Sequence, residues 1–291
     1  RQFVKTPFYR IIGNMALADG TFEAEWKAVE GSRYYNSPLL YKENGFKEEK
    51  DAKALIEQLS ADMHVAIDKV EKKKENKNAP LLYNLAELQN DCSRLFKISP
   101  DQTLQVVQEL YEKKLVTYPR TDARVLSSAV AKEISKNIRG LRSFDPVAPF
   151  AQNIMEHGLY KNIGKSSYTD DSKITDHYAI VPTGQVNEYK SLTELQKRVY
   201  ELIVRRFLSI FYPPAQYQTV KLTIGIEKES FFAGAKVLKV PGYLEIAGRP
   251  DTKEKREKED GDGEENNPKN SAALLKLADS LKEGDTAEVK E

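Results

Sequence analysis

The sequence predicts an α+β protein: a helical domain carrying a helix-turn-helix-like element, inserted into a β-rich domain whose two halves lie apart along the chain. Two periodicities and their order predict this. Alternation of apolar and polar residues, the mark of half-buried strands, occupies both ends, as in TFEAEWKAV and YQTVKLTIGI. Apolar residues three and four apart, the mark of amphipathic helices, occupy the middle. The expected boundaries are 1–79 for the first β-rich part, 80–185 for the helical domain and 186–291 for the second β-rich part.

Each element has a local reason. FYRIIGNMAL and TFEAEWKAV flank Ala18-Asp19-Gly20-Thr21, an Asp-Gly turn that predicts a hairpin with Phe22, Ala24 and Trp26 on one face. DAKALIEQL (51–59) reads as a short helix, and MHVAIDKVEK as a strand turning Val65 and Ile67 to one side. KKKENKN (72–78) reads as a solvated connection. After Pro80, Leu85, Leu88, Cys92, Leu95 and Phe96 form one helical face. The next helix has an explicit start: Ser99 as cap, Pro100 in the first turn and Gln102 at the capping-box position. Its expected apolar stripe is Leu104, Val107, Leu110 and Tyr111. These two helices, joined by Lys97-Ile98-Ser99, form the helix-turn-helix-like element.

LSSAVAKEISKNIRGL reads as a third helix, with Leu126, Val130, Ile134 and Ile138 in register. Residues 140–175, with Pro146, Pro149, Gly158 and Gly164, read as irregular. A capped helix starts at Ser191-Leu192-Thr193-Glu194 and runs through Val199 and Phe207 to Pro213-Pro214. YQTVKLTIGI and SFFAGAKVLKV return to strand, with Val220, Leu222, Ile224 and Ile226 facing one way. The charged, low-complexity stretch 251–270 reads as a disordered acidic surface loop.

Composition narrows the function classes. The chain is 40 % hydrophobic and 31 % charged, with no apolar run of bilayer-spanning length, so it reads as soluble, with no membrane partner. Its single cysteine, Cys92, excludes an internal disulfide and fits a reducing compartment. The net charge of +1 argues against a nonspecific polybasic binder. Charge is uneven, however: residues 251–291 carry 8 basic and 13 acidic side chains, leaving 37 and 31 in residues 1–250. A mildly basic body with an acidic appendage is compatible with nucleic acid. His64, His157 and His177 are scattered without paired ligands, so no metal site is expected. There is no Gly-rich Lys-Ser/Thr phosphate loop and no serine-hydrolase elbow. The chain opens on Arg1 and ends at TAEVKE, in what reads as a strand, so it is expected to be a piece of a longer protein.

The remaining chemistry concentrates in TYPRTD (117–122). A residue before proline is pushed to extended geometry, so Tyr118 belongs to a strand or loop. A tyrosine can attack a phosphodiester, forming a phosphotyrosine and freeing a sugar hydroxyl. Its phenol ordinarily titrates near 10, so nearby cations would favour the phenolate and stabilise charge on the phosphate. Arg120, two residues on, has the planar fork for that phosphate. Equally, Arg120 could pair with Asp122 on an exposed loop while Tyr118 packs its ring. Composition and spacing leave both readings open.

The run LYEKKLVTYPRTDARVLS resembles the active-site segment of type IA DNA topoisomerases, bacterial topoisomerase III above all. About sixty residues on, ITDHYAIVPTG resembles the family's DHHAIIPT motif, with Tyr178 in place of its second histidine. PLLYNLAELQNDCSRLFKISPDQTLQVVQELYEKK follows the paired helices that precede the tyrosine, and LADSLKEGDTAEVKE resembles a family strand. The resemblance implies an ATP-independent enzyme that cleaves one DNA strand through a 5′-phosphotyrosine, passes a strand and religates. It casts Tyr118 as nucleophile, Arg120 as the phosphate clamp, and His177 as a DNA contact or support for the tyrosine. Thr121 joins Arg120 and His177 at the DNA, with Asp122 and Asp176 as orienting partners. It implies the β-rich arch and the tyrosine-bearing helical domain. The acidic, Mg²⁺-binding Toprim module and a further helical domain would belong to the rest of the same polypeptide. Single-stranded DNA would be the partner, the bacterial cytoplasm and nucleoid the location, and this segment alone would bind no metal and not cut.

Two other readings compete with it. A tyrosine recombinase also makes phosphotyrosine, but it places its arginines and a His-x-x-Arg element before the tyrosine, whereas His177 follows Tyr118. A non-catalytic helix-turn-helix module would use 81–114 for the major groove and leave Tyr118 structural.

Overall fold

The computed structural model describes residues 8–17, 20–60, 65–248, 274 and 286–290. The acidic stretch 251–270, the centre of the Asp-Gly turn and His64 lie outside the described residues. The chain divides into two compact units, one of residues 1–75, 216–239 and 250–291, the other of residues 76–215 and 240–249.

The first unit is built on strands β1 (Ile12–Leu17), β2 (Gly20–Lys27), β3 (Leu40–Lys42), β4 (Gly45–Phe46), β5 (Val65–Lys77), β6 (Ala215–Ile226), β7 (Glu229–Val240) and β8 (Thr286–Lys290), together with helix α1 (Glu49–Ser60). Six strands close into a barrel in the order β1-β2-β7-β6-β5-β8, and β3 with β4 forms a separate hairpin. Strand β2 pairs with β1 (Ile12↔Glu25) on one side and β7 (Glu25↔Phe232) on the other, so segments two hundred residues apart share one sheet. The alternation read from sequence sets the core. Phe22, Ala24 and Trp26 from β2 meet Val220, Leu222, Ile224 and Ile226 from β6, with Val65, Ile67, Phe231, Ala233 and the inner face of α1. Trp26 stacks on Phe46 with ring centroids 5.0 Å apart. Its indole N–H donates to buried Glu229 (2.7 Å), whose other oxygen accepts from the Arg33 backbone N–H (3.0 Å), so this carboxylate is satisfied.

KKKENKN is not a loose connection: β5 continues through Lys77 with its charged side chains exposed. A strand with a solvated face tolerates charge, and here Lys236 on β7 pairs with Glu75 on β5 at 2.6 Å while lying over the Tyr217 ring of β6.

The second unit holds α2 (Leu85–Phe96), α3 (Pro100–Glu112), α4 (Ser128–Glu133), α5 (Ser135–Leu141), α6 (Ala148–Glu156), α7 (Glu194–Ser209) and α8 (Leu244–Ala247). Asn84 caps α2 by accepting from Glu87 N–H, and Ser99 with Gln102 makes a reciprocal capping box on α3. Helix α3 ends in a Schellman arrangement. Lys114 takes a left-handed conformation (φ 60°), its N–H bonding Tyr111 O and the Leu115 N–H bonding Leu110 O.

Four expectations are corrected here. Residues 140–175 are not wholly irregular: α6 starts with Pro149 in its first turn, where a missing N–H costs nothing. The third helix divides at Ile134, which keeps helical dihedrals, so Ile134, Ile138 and Leu141 still bury together. Helix α7, placed by sequence with the strands, belongs to the helical unit, because its face of Val199, Ile203, Val204 and Phe207 packs there with α3 and α8. The core face of α3 is Thr103, Val106, Val107 and Leu110, which leaves Tyr111 38 % exposed instead of buried in the stripe.

Helix α5 meets the 183–184 turn through glycine. A Cβ on Gly140 would lie 2.0 Å from the carbonyl oxygen of Gly184, itself at φ +91° against Asn137. Gly140→Ala would gain about 1 kcal/mol of helix propensity, but the contact is with backbone that cannot swing aside. We expect net destabilisation of about 1–3 kcal/mol, seen as a lower urea midpoint; a raised midpoint would refute the close approach.

Candidate active site

The two motif segments lie side by side. Val116 bridges Pro182 in antiparallel fashion; the Thr117 N–H bonds Val181 O (3.0 Å) and the Thr183 N–H bonds Leu115 O (3.0 Å). The Thr117 hydroxyl donates to Ala179 O (3.0 Å) and accepts from the Val181 N–H (2.9 Å). Tyr83 bridges Ile180 on its other side, and the Ala179 N–H bonds Val125 O. With its backbone held on both sides, this segment carries His177 to Tyr118.

The Tyr118 and His177 ring centroids are 4.4 Å apart with planes tilted by 46°. Tyr111, from the last turn of α3, meets Tyr118 edge to face at 5.5 Å. Tyr118 therefore sits between an imidazole and a second phenol, at the wall of a groove of about 470 Å³ lined also by Lys114, Tyr178 and Thr183. Burial pushes the Tyr178 phenol above its usual range, so it stays protonated.

The structure brings Tyr118 and His177 together but does not bring every expected residue to them. Arg120 is exposed, lies outside the groove lining, and has no ion-pair partner among the described residues, so the pairing with Asp122 does not form. Thr121 is turned inward. It is 7 % exposed, its hydroxyl donating to His177 O (2.7 Å) and accepting from the Ala123 N–H (3.1 Å), so it fixes the histidine's backbone. Asp122 and Asp176 are exposed, and among the described residues neither carboxylate bonds Tyr118, Arg120 or His177. Sequence reasoning missed Tyr111 and Lys114 as groove residues. The available signal was LYEKKLVTY itself, in which the helix ends at Glu112, six residues before the tyrosine.

A family model described as DNA topoisomerase matches residues 1–291. The chain belongs to the DNA topoisomerase family. Within it, the chain is 32 % identical over 265 residues to DNA topoisomerase 3 of Bacillus licheniformis, covering 89 % of this chain and 33 % of that protein. It is 32 % identical over 246 residues to DNA topoisomerase 3 of Bacillus subtilis, covering 84 % and 31 %. Full-length topoisomerase I from Thermotoga maritima shares the fold, with a TM-score of 0.55 at 20 % identity, over 96 % of this chain and 39 % of that one. This topoisomerase chain thus spans about a third of the length of the curated relatives it matches. Among its described residues no group of three His, Cys, Asp or Glu side chains could hold a metal. The Mg²⁺ implied by the family finds no such group among them.

Proposed function

We propose that this chain is the tyrosine-bearing segment of a type IA DNA topoisomerase that cleaves one strand through a phosphotyrosine at Tyr118, passes a strand and religates. The observation that carries it is the clamped ring: Tyr118 lies 4.4 Å from His177 and 5.5 Å from Tyr111, on the wall of an open groove. A core tyrosine would be enclosed; this one is held by its ring beside space for a strand.

In the reaction, the Tyr118 phenolic oxygen attacks phosphorus and the bond from phosphorus to the 3′ oxygen breaks. The tyrosine carries the 5′ phosphate, the phenolic proton leaves, and the departing 3′ oxygen gains a proton. Religation reverses each change. The ester conserves the energy of the broken bond, so the cycle needs no ATP. His177 positions the ring, and Arg120, exposed and uncommitted two residues on, swings its fork to the reacting phosphate. The chain's partners in this reading are single-stranded DNA and the remainder of its polypeptide, in the cytoplasm. No helix among the described residues is long and apolar enough to cross a membrane. The test is to incubate the complete protein with end-labelled single strands, denature, digest, and map the phosphate by mass spectrometry. A nucleotide on any residue other than Tyr118, or none under turnover conditions, overturns the proposal.

Arg120 supplies a second check. If its fork meets charge that develops on the phosphate, Arg120→Ala should slow cleavage by roughly 10²–10³-fold with little change in binding. Arg120→Lys should recover only part of the rate, because a point charge lacks the fork. Full activity in the lysine variant would refute this role.

A further inference from the structure

Tyr111 stands out because its burial defies its spacing. Val107 and Leu110 take the core side of α3, and the Schellman turn at Lys114 ends the helix within three residues, leaving the Tyr111 ring 38 % exposed over the groove. Its hydroxyl has no hydrogen bond among the described residues, and its ring contact is the edge-to-face one with Tyr118. Lys114, exposed in its left-handed conformation, lines the same groove. Glu112, also lining it, is engaged by the Gln108 amide at 3.3 Å. The groove therefore presents the exposed Tyr111 ring, the Lys114 cation and the nucleophile, with the His177 and Tyr178 rings and the Glu112 carboxylate in the same lining.

We propose that this groove is a nucleobase subsite, in which the base flanking the cleaved bond stacks on Tyr111 while Lys114 meets the adjoining phosphate. The inference rests on the reading of Tyr118 as nucleophile. A strand whose phosphate reaches the Tyr118 oxygen brings its neighbouring base, one nucleotide step away, within reach of a ring centred 5.5 Å from Tyr118. A volume of about 470 Å³ is ample for one nucleotide. Aromatic platforms of this kind are tolerant of sequence because every base has a π-face.

The experiment uses the complete protein carrying Tyr118→Phe, so that binding is measured without cleavage. A set of single strands, each with one abasic nucleotide stepped across the site, is titrated against this protein and against versions also carrying Tyr111→Ala or Tyr111→Phe. At one position next to the scissile bond the abasic nucleotide should weaken binding by about 5- to 150-fold, the equivalent of 1–3 kcal/mol per stacked base. Adding Tyr111→Ala should shrink that penalty to less than about twofold, and Tyr111→Phe should preserve it. Unchanged melting of Tyr111→Ala separates this from misfolding, and Tyr111→Phe supplies the folded control if melting does shift. A penalty of equal size with and without Tyr111, or no penalty at any flanking position, overturns the subsite. Because binding is read in Tyr118→Phe, a failure of the phosphotyrosine reading appears in adduct mapping alone and is distinct from a failure here.

Discussion

Tyr118→Phe in the complete protein should yield no covalent DNA adduct and no strand cleavage, while binding single strands within about twofold of wild type. Phenylalanine keeps the ring that packs between Tyr111 and His177, so the fold of TYPRTD and its backbone bonds to the 179–183 segment should persist. What disappears is the attacking oxygen. Loss of a covalent nucleophile is among the largest single-residue effects in catalysis, and a fall of roughly 10⁵-fold or more is expected. Cleavage is scored by denaturing gels after rapid quench, and binding by anisotropy on the same labelled strands. Adduct persisting at even a hundredth of the wild-type level would mean that another side chain attacks phosphorus. In that case His177 and Tyr111 would be packing around a structural tyrosine.

How far the sequence reaches is clearest at particular residues. The barrel core was legible because Phe22, Ala24 and Trp26, like Val220 to Ile226, alternate strictly, and every inward position buries. The α3 start was legible because a capping box is a local device, complete within Ser99 to Gln102. The tyrosine and the histidine were legible as motifs, but not their 4.4 Å approach, which depends on backbone pairing across sixty residues. Thr121 shows the same limit in reverse. A hydroxyl in a polar run reads as solvent-facing, and only the tertiary partner, His177 O, reveals that it is used internally. Tyr111 was misread because spacing of three and four names a helical face without saying where that face ends. Pro149 was misread because a proline breaks a helix interior yet suits a first turn. The affiliation of α7 was hidden because amphipathicity does not name the partner its apolar face will meet.

One cluster that sequence gave no hint of should dominate the stability of the helical unit. Arg206 on α7 donates to Leu81 O (3.0 Å), to the Tyr83 hydroxyl (3.0 Å) and to Asp91 on α2 (2.9 Å), and lies over the Tyr83 ring at 4.2 Å. Tyr83 donates to the same carboxylate, and Arg94 holds its other oxygen. Burial alone would push the Asp91 carboxyl upward, but the hydrogen bonds from Tyr83 and Arg94 and the Arg206 charge outweigh it and hold it below its usual range. The Tyr83 phenol is pushed well up, chiefly by burial. Arg206→Ala leaves Asp91 and the Tyr83 hydroxyl short of a partner in a largely buried setting, with the Arg206 and Asp91 side chains 15 % and 18 % exposed. Breaking such a pair from one side costs about 3 kcal/mol, the low end expected for burial of this degree. Asp91→Leu with Arg206→Met, which removes both charges, should cost less than either Asp91→Leu or Arg206→Ala alone. The pH dependence follows in sign. Because the folded Asp91 value is depressed, its contribution is present above the ordinary carboxylate value of about 3.9 and is lost as pH falls through the folded value. Because the folded Tyr83 value is raised, its contribution holds below about 10 and declines as pH rises further. The Tyr83 term comes chiefly from burial and is shared by both proteins, so urea midpoints of wild type and Arg206→Ala should stay apart above the carboxylate range and converge in acid. The effect should reach the groove, since the Tyr83 backbone also accepts from Ile180 N–H (2.8 Å), three residues from His177. A difference below about 0.5 kcal/mol at neutral pH would show that the cluster braces nothing.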